Sequence, residues 1–114
     1  MIAVIFEVEP AEGRAGDYFA AAAALRAELE TIDGYLSVER FESLSRPGRF
    51  LSLSFFRDET AVAAWRNFAP HRATQGAGRA GIFADYRLRV AEVLRDYGLH
   101  DREQAPADSR AAHR

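Results

Sequence analysis

At 114 residues, 48% apolar and 28% charged, the chain has the size and composition of one globular domain with a modest core. A formal net charge of -2 gives no basic field for nucleic acid, and the absence of cysteine removes disulfides, thiolate metal sites and Cys nucleophiles. No segment approaches the roughly 20 apolar residues of a membrane span, and the apolar start Met1 to Phe6 runs into Glu7 with no basic region before it. The expectation is a cytoplasmic protein without a signal peptide. Arg supplies all 15 basic residues, which together with the Ala-rich stretches suggests a coding bias and a bacterial source.

The first strand is expected over Ile2 to Val8. Ile2, Val4, Phe6 and Val8 point one way and Ala3 and Ile5 the other, so both faces are apolar until Glu7. Pro10 and Gly13 mark the following turn. A helix is expected from about Arg14 to Thr31, with Tyr18, Ala22, Leu25, Leu29 and Ile32 as its apolar stripe and Asp33-Gly34 as its stop. Tyr35 to Leu44 and Arg49 to Arg57 read as two strands joined by the turn Ser45-Arg46-Pro47-Gly48. Asp58 or Thr60 caps a second helix, about Glu59 to Phe68, which Pro70 interrupts. His71 to Gly76 offers another turn or two, and Gly76, Gly78 and Gly81 release the chain into a last strand from Ile82 to about Val93. The domain is expected over residues 1–97, with a polar tail over 98–114 in which Asp101 to Arg114 has no periodicity and reads as loosely held.

The order strand, helix, strand, strand, helix, strand predicts an α+β fold of ferredoxin-like βαββαβ topology. It is a four-stranded antiparallel sheet with two helices on one face. The other face then carries Ala3, Ile5 and either set of side chains from the third strand, including Phe50 and Phe56. A second copy of the sheet packed face to face would cover it, which predicts a homodimer. Ser52 and Ser54, placed on that same face, suggest a pocket in the covered space. Arg87 and Arg89 on the last strand, and Glu39 and Arg40 on the second, are expected to make cross-strand ion pairs.

Several features occur in order: a short first strand, an Ala-rich helix ending in Asp33-Gly34-Tyr35, a hairpin from Ser43 to Phe56, then Ala64-Trp65-Arg66, His71, Gln75 and Gly78-Arg79. Over about residues 1 to 95 this resembles the antibiotic biosynthesis monooxygenase (ABM) domain family, a branch of the dimeric α/β-barrel proteins. The resemblance implies a dimer of ferredoxin-like subunits, each with a pocket between sheet and helices. Some members oxidise polycyclic aromatic substrates with O2 and no metal or flavin, whereas others bind and degrade haem. The haem-degrading branch has an Asn on the first strand and a Trp and a ligand His on the second helix. Here Trp65 sits on the matching element, but His71 follows it by only six residues and the first strand has no Asn. Those departures count against haem.

The candidate chemistry rests on few residues. Trp65 either lines an aromatic pocket or is a core residue of the stripe Val62, Trp65, Phe68. His71 is a candidate base, or a local cap, with no second His at metal-ligand spacing, so no metal site is expected. Arg79 and Gln75 could stabilise an anion or simply be solvated. The expected catalytic residues are His71, Trp65 and Arg79, and the expected substrate contacts are Gln75, Phe68, Ser52 and Ser54. Gly76, Gly78 and Gly81 follow a helix and precede a strand, the reverse of a dinucleotide-binding context. The expected activity is oxygenation of an aromatic or quinol-like small molecule without a cofactor. The alternatives are a haem-binding monooxygenase and a non-catalytic ligand-binding dimer, and neither nucleic acid nor membrane is an expected partner.

Overall fold

The computed structural model describes residues 1–68 and 81–112. Its elements are β1 (Ile2–Pro10), α1 (Ala15–Leu29), β2 (Tyr35–Glu42), β3 (Phe50–Phe56), α2 (Glu59–Arg66), β4 (Phe83–Glu92) and a short α3 (Ala107–Ala112). The strands form one antiparallel sheet in the order β2-β3-β1-β4. This is the predicted βαββαβ arrangement. No helix of the described residues is long and apolar enough to cross a membrane.

Register decides which side chains share a face. Val4 pairs with Ser54 and with Val90, Phe6 with Ser52 and Leu88, and Val8 with Phe50 and Tyr86. Across β2, Val38 pairs with Ser54 and Arg40 with Ser52. Directly opposed residues lie on one face. Leu29 of α1 and Ala61 and Val62 of α2 join Ile2, Val4 and Phe56 in the core cluster, with Tyr35, Val38 and Trp65 packed against it. Both helices therefore cover the face that carries Phe50, Ser52, Ser54 and Phe56. This corrects the expected assignment. Those four residues face the helices, and the open face instead carries Ala3, Ile5, Leu51, Leu53 and Phe55. β3 is apolar at both parities, so alternation alone could not choose between them.

The open face divides into an apolar end and a charged end. Arg89 Nη1 lies 3.4 Å from Glu7 Oε1, Arg49 Nη2 3.4 Å from Glu7 Oε2, and Arg49 Nη1 3.8 Å from Asp85 Oδ2. Arg89 thus makes the predicted cross-strand pair. Arg40 does not: it lies on the helix side, opposite to Glu39 in parity, with no carboxylate within ion-pair distance among the described residues.

Gly34 marks where α1 turns into β2. Its φ of 91° is left-handed, and an added Cβ would sit 2.8 Å from the Ala61 Cβ of α2. Beside it, Arg57 bridges Asp33 (Nη2 to Oδ2, 3.1 Å) and Asp58 (Nε to Oδ2, 3.1 Å), while Asp58 Oδ1 caps α2 by accepting from the Ala61 N–H at 2.9 Å. These bonds hold both carboxyls below the usual carboxylate range: for Asp33 the Arg57 hydrogen bond is the main cause, and for Asp58 the Ala61 N–H. Gly34→Ala should therefore cost about 2 kcal/mol in urea denaturation, from backbone strain together with the clash. Gly48→Ala, at φ 86° with nothing within 4 Å of its added Cβ, should cost only about 1 kcal/mol. Equal losses would mean that the approach to α2 contributes nothing.

The tail departs from the loosely held expectation. Gln104 Oε1 accepts from the Asp96 N–H at 2.9 Å, Arg102 donates to Ser109 Oγ at 2.9 Å and stacks over Tyr97, and Ala105 is buried. Short-range polar bonds with no apolar period build this segment, which is why a hydrophobic pattern did not show it.

Candidate functional site

The helix-facing side of the sheet carries two aromatic groups with small residues between them. At one end Tyr18 of α1 lies 5.9 Å from Phe83 and 6.3 Å from Phe50, Phe19 makes an edge contact with Phe50 at 4.8 Å, and Phe6 lies 5.7 Å from both Phe83 and Tyr86. At the other, Phe56 packs on Trp65 at 5.5 Å and on Tyr35 at 6.0 Å. Between them the register sets Ser52 and Ser54 on the floor, flanked by Val38 and Arg40 on β2 and by Val4 and Phe6 on β1. Both serines carry short polar side chains on the covered side, Ser54 buried at 3% exposure and Ser52 half-buried. On the β4 side Leu88 and Val90 remain about half exposed, an apolar border open to a ligand.

Trp65 packs against the core cluster and Phe56, so it forms one wall through the same contacts that hold the core. Phe68 follows α2 directly, its N–H donating to the Trp65 carbonyl at 3.1 Å. Ser52, Ser54 and Trp65 are thus gathered on one side of the sheet. His71, Gln75 and Arg79 lie outside the described residues. Among the described residues no group of three or more His, Asp or Glu could hold a metal ion.

Two polar residues on this side were not expected from sequence as site residues. Tyr18 is 5% exposed, and its hydroxyl is buried without a well-formed hydrogen bond among the described residues. Arg40 Nε is likewise buried and has no hydrogen-bond partner among the described residues. Burial pushes the Tyr18 phenol above its ordinary pKa, and the nearby Arg40 guanidinium opposes this without completing a well-formed hydrogen bond. The signal for Arg40 was its parity with Val38: a strand that turns Val38 inward takes Arg40 with it. Tyr18 carried no such signal, because on the α1 stripe it reads as an ordinary core aromatic.

The model of the family described as antibiotic biosynthesis monooxygenase matches residues 1–77, the stretch that holds β1 through α2. The chain belongs to the antibiotic biosynthesis monooxygenase family. It is 48% identical over 93 residues to Jasmonate monooxygenase ABM from Pyricularia oryzae, a match that covers 82% of this chain and 43% of that protein. The chain therefore spans less than half the length of that relative. A fungal relative this similar lends no support to a bacterial source read from Arg and Ala usage. Among solved structures, a protein of the same family from Deinococcus radiodurans superposes with a TM-score of 0.76 at 16% identity, covering 86% of this chain and 97% of that one. Rv0793 from Mycobacterium tuberculosis does so with a TM-score of 0.76 at 18% identity, covering 85% and 98%. At such identities the likeness is one of fold.

Proposed function

We propose that the chain is a cofactor-independent monooxygenase unit that acts as a homodimer on a small ring compound bound between the helices and the sheet. The observation that carries this reading is the floor of Ser52 and Ser54 between the two aromatic groups, in a chain of this family. The aromatic groups supply flat apolar surfaces and the serines polar ones, the mix a planar or alicyclic ring needs, with Trp65 shaping one wall. The substrate class is a quinol-like aromatic or, following the name of the fungal relative, a cyclic ketone such as jasmonate.

Both kinds of compound have a proton made acidic by conjugation with a carbonyl or an aromatic ring. Once that proton is removed, the substrate itself supplies electrons to O2. The activated ring CH2 (that of the keto tautomer in the phenolic case, the one next to the carbonyl in the ketone) becomes C=O, one oxygen atom of O2 is retained, and the other leaves as water with the two hydrogens. The protein then needs to exclude water, orient the ring, remove a proton and stabilise the anion. His71 is assigned as the base and Arg79 or Gln75 as the anion stabiliser, with Phe68 beside Trp65 as a further substrate contact.

The test is oxygen uptake by the purified chain with dithranol, an aromatic substrate of this kind, and with jasmonate, after chelation and without added flavin. Uptake should match product one to one, and His71→Ala should slow it by roughly 100-fold or more. Unchanged turnover in His71→Ala would remove the base assignment. No uptake with either compound, or a haemin Soret shift that is lost in His71→Ala, would overturn the reading itself.

A further inference from the structure

We propose that Arg40 and Tyr18 anchor a carboxylate of the bound ligand, making this protein selective for ring compounds that bear an acid group. The proposal rests on the substrate reading above and adds to it the chemical class of the ligand's head group.

The argument begins with contrast. Arg14 pairs with Asp17, and Arg49, Arg57 and Arg89 lie within 4 Å of Glu7, Asp33, Asp58 or Asp85; Arg26, Arg46, Arg66, Arg87, Arg95 and Arg110 have no ion pair among the described residues but are exposed to water, and Arg102 donates to Ser109. Arg40 has no such partner among the described residues, although it sits on the more covered side of the sheet. Its register places it across from Ser52 and in line with Val38, and its Nε is buried and unbonded. Among the described strand residues it is the one cation on the helix-facing side. An unpaired buried N–H of a cation is costly, and native structures leave such groups only where something else completes them.

Tyr18 adds a second donor. Its hydroxyl reaches the same covered side from α1, buried and unbonded. Burial keeps the phenol protonated, so it offers a hydrogen rather than a charge. A guanidinium edge and a phenolic O–H with no carboxylate between them among the described residues match one, which accepts from both. The apolar remainder would extend over Ser52 and Phe6 toward Leu88 and Val90. Glu28, on α1, also has a buried unpartnered oxygen, Oε2, yet forms no ion pair with Arg40. Among the described residues it is a carboxylate that could compete for Arg40, beside the Tyr18 oxygen and the hydroxyl of the facing Ser52.

The experiment is calorimetric binding to the full chain of two acid and neutral pairs: jasmonic acid with its methyl ester, and 1-naphthylacetate with its amide. The acids should bind ~10–100-fold more tightly than their neutral forms, the range of a charge-assisted hydrogen-bond pair. Arg40→Gln should abolish that preference by lowering acid affinity far more than neutral-ligand affinity, while Tyr18→Phe should reduce it by about 3–10-fold. Arg40→Met and Glu28→Gln should melt no lower than the parent, because a cation awaiting a ligand holds nothing together in the free protein. A structural Arg40, paired with Glu28 in solution, would lower the melting temperature in both variants and would overturn the proposal. So would equal affinity for acid and neutral forms, or a preference that survives Arg40→Gln. If the preference is Arg40-dependent but neither dithranol nor jasmonate is turned over, the anchor stands and the monooxygenase reading falls. If turnover occurs with no preference for acids, the reverse holds.

Discussion

Replacing Leu53 by Glu should convert the protein from a dimer to a monomer. Leu53 sits at the middle of the open face, opposite Ile5 on β1 and between Leu51 and Phe55 along β3. Ile5, Leu51, Leu53 and Phe55 are only part-buried in the single protomer, and both α1 and α2 pack on the other side of the sheet. An apolar sheet face of this kind is most simply covered by a second copy around a two-fold axis. The substitution would place two carboxylates near that axis. Each loses hydration on association, at several kcal/mol per ion, so the association constant should fall by roughly 1000-fold or more. Size-exclusion chromatography with light scattering reads the result, and circular dichroism checks that the fold survives. The charged end of the same face, with Glu7, Arg49, Asp85 and Arg89 already paired, should tolerate Arg89→Gln with little change. A parent that is monomeric, or a Leu53→Glu variant that stays dimeric, would refute the face-to-face dimer.

The second large effect belongs to Phe56. It is 0% exposed, in ring contact with Tyr35 and Trp65, and in the core cluster with Ile2, Val4, Leu29, Ala61 and Val62. Phe56→Ala should cost about 3–5 kcal/mol, the lost transfer energy plus the cavity left behind. For a domain of this size that is a fall in melting temperature of roughly 15 °C or more. Phe56→Leu, which keeps most of the volume, should lose less than about 1.5 kcal/mol. The comparison also bears on the site, since Trp65 rests on Phe56. If Trp65 shapes a ligand wall, Phe56→Leu should weaken ligand binding beyond its small stability cost. A loss below about 1 kcal/mol for Phe56→Ala would mean that β3 does not present this face to the helices.

Much of the fold was legible because its signals are local. The turn chemistry of Ser45 to Gly48, the Asp58 cap and the Gly34 stop each act within a few residues, and they set the order and approximate limits of the elements. The short terminal helix Ala107–Ala112 was not legible, since side-chain bonds such as Arg102 to Ser109 hold it rather than an apolar stripe.

What the sequence alone determined was the βαββαβ order, the presence of apolar side chains at both parities of β1 and β3, and the family to which the pattern belongs. Only the tertiary structure decided which parity of β3 meets the helices. That choice depends on its pairing with β1, where a shift of one residue would exchange Ser52 and Ser54 for Leu51 and Leu53. The same pairing, with α1 crossing above it, brings Tyr18 and Arg40 together from 22 positions apart in the chain. Neither residue looks functional by itself: one reads as a core aromatic, the other as half of an ion pair. Their meaning as two neighbouring buried polar groups with no carboxylate against them among the described residues comes from burial, which only the folded chain creates.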